Sequence, residues 1–234
     1  MASPPFGSKA TAGGATAANV TCNVPASTAD NDLLLFFLSK DATDAVTWPG
    51  GWNILAEGTA NTFYMGIGWR RASSEPANYT WNFASTWRDC VMLRYTGVVT
   101  GENPNDPDTP PAMVEAASVT SLASNNDVTT TADTTGVAFA NQKAIISWAA
   151  APGSWVARQN AAGNECYVID LVVASGTITD PTMSTAGGTP SGPMKAYIVA
   201  IQSVSAGGAQ DTPELRGRPA GLRGERQMHQ LLAQ

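Results

Sequence analysis

The chain has 234 residues, with 13 Lys and Arg against 19 Asp and Glu, and a formal net charge of −6. Only 14% of its residues are charged, whereas an average domain has about 25%. This acidic, weakly charged composition excludes a protein whose main partner is nucleic acid, because binding phosphates requires a concentrated basic surface. The length is sufficient to bury a core without disulfides or metals.

Cysteine usage and hydropathy indicate the cellular setting. Cys22, Cys90 and Cys166 are far apart in sequence, so they predict buried free thiols rather than a disulfide framework or a zinc site. Residues 1–9 lack the charged and apolar regions of a secretory signal, and no apolar run is long enough to cross a bilayer. We therefore expect a protein made and kept in a cytoplasm, without a membrane partner.

Residues 1–98 begin with a polar stretch and continue as a series of strands and turns. Residues 1–29 are rich in Ala, Gly, Ser and Thr, and we predict an N-terminal arm with one edge strand at 18–24. From residue 31 onward, short apolar runs rich in aromatic and branched side chains are bounded by Gly, Pro, Asn or Asp, which is typical of strands. These runs are 33–38, 63–69, 79–83 and 89–95, with turns at 49–52 and 75–76.

Residues 100–135 contain a proline-rich loop and a polar region. Closely spaced prolines at 100–111 exclude helix and interior strand, so we predict a surface loop there. Asp106 and Asp108 in this loop could bind calcium, although a solvated loop is the preferred interpretation. Residues 113–135 alternate weakly and are rich in Thr, Ser and Asn, as an exposed strand pair would be.

Residues 137–204 resemble a second copy of residues 31–98. The sequence Pro-Gly-Ser-Trp at 152–155 repeats Pro-Gly-Gly-Trp at 49–52, and Cys-Tyr at 166–167 follows at the same offset from Phe-Tyr at 63–64. We expect residues 144–148 to correspond to 33–38, and residues 197–204 to close the copy. Two strand sets that bury their apolar faces against each other form a β-sandwich. Little helix is expected, because no segment before residue 210 has a sustained 3.6-residue period.

Residues 206–234 form a predicted C-terminal arm that follows a Gly-rich hinge. The last ten residues place apolar side chains on one side of a short helix, which is marginal in isolation. We expect the arm to become ordered only on a partner surface, where its arginines pair with carboxylates. The candidate partner-binding residues are Arg216, Arg218, Arg223, Arg226, Met228, Leu231 and Leu232.

The residue types available limit the chemistry that the body can perform. The only histidine, His229, lies in the C-terminal arm, which excludes a Ser-His-Asp or Cys-His nucleophile and a His-based metal site elsewhere. No Gly-rich phosphate loop accompanies a strand and helix. We therefore predict no enzymatic activity, no catalytic residue, no cofactor and no metal.

Two alternative functions remain open from the sequence. A two-carboxylate glycosidase could use a pair of acids, although their spacing pairs none of them. The available acids are Glu57, Glu75, Asp89, Glu115 and Glu165. A carbohydrate-binding module could stack sugars on tryptophan, but core or interface packing is the preferred role for these side chains. The tryptophans are Trp48, Trp52, Trp69, Trp81, Trp87, Trp148 and Trp155.

The order of motifs in residues 31–98 resembles a β-sandwich module common in tailed-phage virion proteins and some bacterial surface proteins. These motifs are an acid followed by LLLFF, then PGGW, GWRRA, EPANYTW and YTGV. The similarity is close in the first half, looser in the second, and does not include the C-terminal arm. It implies an all-β, antiparallel, jelly-roll-like sandwich built from two similar halves with extended N-terminal and C-terminal arms. It implies no active-site residue.

From this resemblance we expect a virion structural protein, assembled in the host cytoplasm, that decorates or cements a phage head shell, with a fibre or tail component as another location. The expected division is an arm at 1–29, a sandwich at 30–205 and an arm at 206–234. The expected partners are the major capsid protein or other virion subunits and further copies of the chain, with a trimer as the expected oligomer. The alternative is a carbohydrate-binding module of a phage fibre or a bacterial surface protein.

Overall fold

The fold comes from a computed structural model of the chain. It describes residues 3–60, 63–99, 113–117, 119–123, 127–130, 133–143, 147–160, 165–174, 176–186 and 192–203. The predicted surface loop at 100–111 and the predicted arm at 206–234 lie outside the described residues.

The described residues form fourteen strands and no helix. The first half contains β1 (Phe6–Asn23), β2 (Leu33–Lys40), β3 (Asn53–Ala60), β4 (Phe63–Arg71) and β5 (Asn78–Tyr95). The second half contains β6 (Val114–Ala116), β7 (Ser121–Ala123), β8 (Val128–Thr130), β9 (Thr134–Gln142), β10 (Val156–Gln159), β11 (Cys166–Val173), β12 (Gly176–Ile178), β13 (Thr182–Ser184) and β14 (Met194–Gln202).

Each half contributes one five-stranded antiparallel sheet. The strand order is β1-β5-β2-β4-β3 in the first sheet and β6-β14-β9-β11-β10 in the second. In both sheets, the edge strand that comes first along the chain pairs with the last strand of its half. Two further pairs, β7 with β13 and β8 with β12, complete the second half. The predicted antiparallel sandwich of two similar halves is therefore confirmed.

A shared irregularity fixes which residues of the two halves correspond. A β-bulge interrupts the pairing of β3 with β4 between Ile54 and Ala56, and the pairing of β10 with β11 between Ala157 and Gln159. Both bulges follow the Pro-Gly-x-Trp turn at the same distance. Bulges are conserved features of local strand design, so the two Pro-Gly-x-Trp turns lead into equivalent strand pairs. The predicted match of Cys166 to Phe63 is wrong by two residues, because Cys166 pairs with Asn141 of β9 as Met65 pairs with Ser39 of β2.

The inner faces of the two sheets share one hydrophobic core. It contains sixteen buried residues, of which fifteen come from β2, β4 and β5 of the first sheet and from β9, β11 and β14 of the second, and one is Val98. Side chains alternate in direction along a strand, so inward residues such as Leu33, Leu35 and Phe37 lie two positions apart. At the edge, β1 approaches β10, and Lys9 Nζ donates to Gln159 Oε1 at 2.8 Å.

The outer face of each sheet is covered by its own half. Register shifts at Gly13 and Ala17 let β1 and β5 fold back over β2, so that Trp81 stacks on Phe36 with 3.5 Å between ring centroids. We call residues 19–23 and 78–83 the flap of the first half. In the second half β7, β8, β12 and β13 form the corresponding flap over a separate cluster around Trp148 and Tyr167.

Several predicted boundaries need correction. The predicted arm at 1–29, with a strand only at 18–24, is instead one 18-residue edge strand, β1. Its small, mostly exposed side chains carry little hydrophobic signal, because β1 lies at the edge of the sheet. The runs at 79–83 and 89–95 belong to the single strand β5. The described residues between 113 and 130 form the short strands β6, β7 and β8, which pair with β14, β13 and β12 rather than with each other. Residues 134 and 135 already belong to β9.

The predicted equivalent of the first apolar run is also wrong. The strand that corresponds to β2 is β9, because β9 lies between β11 and β14 as β2 lies between β4 and β5. Residues 144–146 lie outside the described residues, and Trp148 forms an isolated bridge with Thr185. The polar ends of β9 conceal its buried centre, so its hydrophobic run looks weaker than that of residues 144–148.

Candidate functional site

Equivalent residues of the two halves contact each other at the centre of the sandwich. Phe37 and Phe139 meet edge to face, with ring centroids 5.4 Å apart. Two positions further along the same strands, Asn141 Nδ2 donates to Ser39 Oγ at 3.0 Å. Contacts between equivalent positions are the mark of a two-fold relation. The halves therefore pack as the two subunits of a symmetric dimer do.

A row of polar side chains crosses this interface. In the first sheet, Asp89 pairs with Ser39, and in the second sheet Lys195 pairs with Asn141 at the corresponding positions. Together with Glu165 these residues form what we call the polar seam. Each is at most 2% exposed, and buried polar groups of this kind require hydrogen-bond partners.

Glu165 is the most perturbed carboxyl group of the polar seam. Ser39 Oγ donates to Glu165 Oε2 across the two sheets at 3.3 Å. Burial, and next the charge of Asp41, raise the pKa of Glu165 to about 8. Loss of hydration disfavours the charged form of a carboxyl group. Glu165 is therefore a neutral acid at pH 7, which links the start of β11 to the end of β2.

Asp89 makes a second link between the sheets. The backbone N–H of Cys166 donates to Asp89 Oδ2 at 3.2 Å. Burial raises the pKa of Asp89 to about 6, and the hydrogen bond from Cys166 opposes this shift. Asp89 also lines a small groove of about 210 Å³ beside Thr11, Ala12 and Gly13 of β1. Its carboxyl group thus lies between the interior and a solvent-facing groove.

Lys195 occupies the position in the second half that Asp89 occupies in the first. Its Nζ donates to the carbonyl of Gly58 at 2.7 Å and to that of Phe63 at 3.4 Å, and lies 3.9 Å from Glu115 Oε2. Burial lowers the pKa of Lys195. The ammonium group therefore joins β14 to the hairpin of β3 and β4.

The structure brings together only two of the five acids considered for a glycosidase. Asp89 and Glu165 are close enough for the charge of Asp89 to raise the pKa of Glu165 further. Sequence spacing gave no sign of this pair, because β5 and β11 belong to different sheets. A glycosidase pair must flank a bound sugar, whereas Glu165 is 1% exposed and bonds to Ser39.

The other three acids have separate environments. Glu57 accepts a hydrogen bond from Tyr64 Oη at 2.8 Å beside an open pocket of about 360 Å³. Glu75 pairs with Arg70, with 3.0 Å between Oε1 and Nη2, and also accepts a hydrogen bond from Tyr79. Glu115 lies near Lys195. The structure does not bring these three acids together.

The tryptophans lie within the protein rather than on an open platform. Trp52, Trp81, Trp148 and Trp155 are buried. Trp48, Trp69 and Trp87 are half-buried. Trp81 contacts Phe36, Trp48, Trp52 and Tyr79 in the cluster beneath the first flap. The core-packing interpretation of the tryptophans is supported by these contacts.

The remaining predicted residues are placed as follows. Cys22, Cys90 and Cys166 are buried free thiols, as predicted. Asp106, Asp108 and His229 lie outside the described residues, as do all the partner-binding candidates. These candidates are Arg216, Arg218, Arg223, Arg226, Met228, Leu231 and Leu232. In the described part of the chain, no group of three or more His, Cys, Asp or Glu side chains is arranged to bind a metal ion.

Comparison with known proteins gives no relative. No family model, curated protein or solved structure matches the chain. Within the described ranges, no helix has the length and hydropathy to span a membrane.

Proposed function

We propose that the protein is a non-enzymatic structural protein of a virion, and specifically a decoration or cement protein of a phage head shell. The observation that supports this proposal is the polar seam, in which the polar groups at the centre of the sandwich join the two sheets. Ser39, Asp89 and Lys195 each bond to the other half of the chain. Side chains used in this way stabilise a rigid body. The resemblance of residues 31–98 to virion β-sandwich modules supplies the setting.

In the proposed arrangement, the sandwich docks on the shell and the C-terminal arm, residues 206–234, tethers the sandwich to it. The segment carries Arg216, Arg218, Arg223 and Arg226 in a chain whose net charge is −6. Once the body is docked, the local concentration of the tether is high, so weak contacts persist. The partners are the major capsid protein and further copies of this chain, and the location is the assembled particle.

Copurification with particles tests the proposal. We expect the full chain to sediment with assembled heads at a fixed stoichiometry and to be absent from the particle fraction when its gene is deleted. A full chain with all four tail arginines changed to Gln should sediment with fewer copies per particle, because its charged contacts are lost. Recovery of the wild-type protein only in the soluble fraction would contradict the proposal.

The alternative, a carbohydrate-binding module, has less support from the structure. Sugar stacking needs an exposed aromatic face, whereas the tryptophans of the described residues are buried or half-buried. A glycan array with the full chain tests it. Specific binding that is lost on Trp69→Ala but kept on Thr59→Ala would favour the carbohydrate-binding function.

A further inference from the structure

The two halves carry different residues at one pair of equivalent positions, in β4 and β11. Leu34 of β2 pairs with Arg70, and Gly136 of β9 pairs with Leu171. Leu34 and Gly136 each lie three residues before the contacting phenylalanines Phe37 and Phe139. Leu171 is therefore the second-half equivalent of Arg70, and an arginine has been replaced by a shorter apolar residue.

In the first half, Arg70 spans the space between the Pro-Gly-Gly-Trp turn and the flap. Its Nη1 donates to the carbonyl of Gly50 at 3.4 Å, and its Nη2 lies 3.0 Å from Glu75 Oε1. The guanidinium carbon lies 4.9 Å from the ring centroid of Tyr79. A guanidinium thus binds a turn carbonyl, a carboxylate and an aromatic face at once, which suits its planar donors.

In the second half, the same space is an open groove of about 500 Å³. One wall is the Pro-Gly-Ser-Trp turn, which includes Gly153, the equivalent of Gly50. Asp180 and Pro181 also line the groove, and they come shortly before β13 as Glu75 and Pro76 come shortly before β5. Leu171 and Val173 form an apolar floor. The groove therefore has the turn and the acid of the first-half site, but its strand contributes no arginine.

We propose that this groove binds an arginine side chain of the chain's own C-terminal segment, residues 204–234, in the place that Arg70 occupies in the first half. Charge favours this occupant, because the segment contains four arginines and the groove is lined by the acidic residue Asp180. Asp127 adds a second acid nearby, since its Oδ1 accepts the backbone N–H of Asp180 at 2.9 Å. Carboxylates and guanidinium groups form strong charge-assisted hydrogen bonds.

The path of the chain also favours this occupant. Gln202, at the end of β14, pairs with Thr134, which in turn pairs with Val173 on the groove floor. Neighbouring strands lie about 4.8 Å apart. The C-terminal end of β14 is therefore two strands away from the end of β11 that lines the groove. Arg216 follows Ser203 by 13 residues, and an extended chain of that length reaches about 40 Å.

Hydrogen–deuterium exchange of the full chain tests this site. The variant R216Q/R218Q/R223Q/R226Q removes every guanidinium of the segment and keeps its length. We expect peptides covering residues 152–156 and 177–182 to exchange about tenfold faster, the change that corresponds to loss of one charge-assisted hydrogen bond. The matched control, D211N/E214Q/E225Q, changes only acids of the same segment and should leave these peptides as protected as in the wild type.

A second variant tests the site from the groove. Leu171→Arg supplies a guanidinium from the strand, as Arg70 does, and should exclude the segment. In that background, the four Arg→Gln changes should have no further effect on the groove peptides. Asp180→Asn, a conservative change that preserves the fold if Leu171→Arg does not, should accelerate exchange as the four-arginine variant does.

Unchanged exchange at residues 152–156 and 177–182 in the four-arginine variant would overturn the proposal. Equal acceleration in the acid control, or in first-half peptides around residues 49–52, would also overturn it, because the effect would then be unspecific. The inference does not depend on a virion setting, since no particle takes part in the experiment. Its failure is therefore distinguishable from failure of the proposed function.

Discussion

Asn141 donates a hydrogen bond of 3.0 Å to Ser39, and these two residues occupy the same position in the two halves of the chain. Phe37 and Phe139 repeat this relationship two residues earlier, with 5.4 Å between ring centroids. The interior is thus organised around the line where the central strands β2 and β9 meet. Predictions about stability concern this line first.

Truncation of either phenylalanine should destabilise the protein strongly. Phe37 and Phe139 are fully buried, and Phe→Ala in a core costs roughly 3–5 kcal/mol of unfolding free energy. Because the rings contact each other, Phe37→Ala and Phe139→Ala should not be additive, and the double variant should lose less than the sum by about 0.5 kcal/mol or more. Urea unfolding of the four proteins measures this coupling. Strict additivity would show that the two rings do not interact.

Stability should fall as pH rises from acid to mildly alkaline values. The pKa of Glu165 is raised from its ordinary value of 4.5 to about 8. The folded state therefore holds this proton more tightly than the unfolded chain. The resulting stabilisation is complete below pH 4.5 and is lost as the pH rises to 8. Asp89, whose pKa is raised to about 6, acts in the same direction at lower pH.

Glu165→Gln should remove most of this pH dependence. Gln cannot ionise and still accepts the hydrogen bond from Ser39, so the variant should resemble the wild type at pH 5 and exceed it at pH 9 by roughly 2–4 kcal/mol. Urea unfolding at several pH values gives the two curves. Glu57→Gln, at an exposed carboxylate, is the control and should leave the slope unchanged. Parallel curves for the wild type and Glu165→Gln would contradict the assignment.

Two adjacent glycines of β1 should differ in their tolerance of a side chain. At Gly13, with φ of +139°, a Cβ would lie 2.5 Å from the Cα of Asp89 and 2.7 Å from the carbonyl oxygen of Arg88. At Gly14, with φ of +72°, a Cβ would meet nothing within 4 Å. We expect Gly13→Ala to cost roughly 2–5 kcal/mol through backbone collision and strain.

Gly14→Ala provides the matched control, because it should cost only about 1–2 kcal/mol for the left-handed conformation. Thermal unfolding followed by circular dichroism compares the two. Equal midpoints for the two variants would mean that β1 does not approach Asp89 as closely as the structure shows.

Thiol labelling should report opening of two of the three hydrophobic clusters. Cys22 belongs to the first flap, Cys90 lies beneath it in the same cluster, and Cys166 lies in the core between the sheets. Burial raises the pKa of Cys166 well above its ordinary value, and a buried thiol reacts slowly. The native protein should therefore resist a thiol reagent, whereas the protein in denaturant should react at all three sites. Rapid labelling of Cys22 alone would indicate that the first flap opens independently of the body.

The sequence predicted the strands best where consecutive residues are all buried. The all-apolar run of β2 and the two Pro-Gly-x-Trp turns predicted the strands, the repeat and the sandwich, because these signals are local. The edge strand β1 was predicted over only part of its length, since Ala, Gly and Thr side chains that face solvent have little periodicity. β9 was missed because Thr and Gln at its ends mask the apolar centre.

The polar seam was not predictable from spacing. Asp89 and Glu165 are 76 positions apart in the chain, and only the packing of β5 against β11 brings them together. The equivalence of Arg70 and Leu171 could not be predicted from the sequence either. The repeat in the sequence aligns the turns with an offset of 103, whereas strand pairing shows that Leu171 follows Arg70 by 101. The difference arises in the hairpins, because Ala56 pairs with Ile67, 11 positions further on, whereas Gln159 pairs with Val168, 9 positions further on. The β10–β11 hairpin is therefore two residues shorter than the β3–β4 hairpin.

Asp89 and Lys195 carry opposite charges at equivalent positions, and this favours packing of a first half against a second half. Asp89 and Lys195 are buried and equivalent, so joining a first half to another first half would enclose two acids, and joining two second halves would enclose two amines. Either homotypic union confines like charges in a medium of low polarity, where an uncompensated charge is costly. The two halves of one chain therefore pack against each other. Domain swapping between two molecules would form the same contacts and would add no stability.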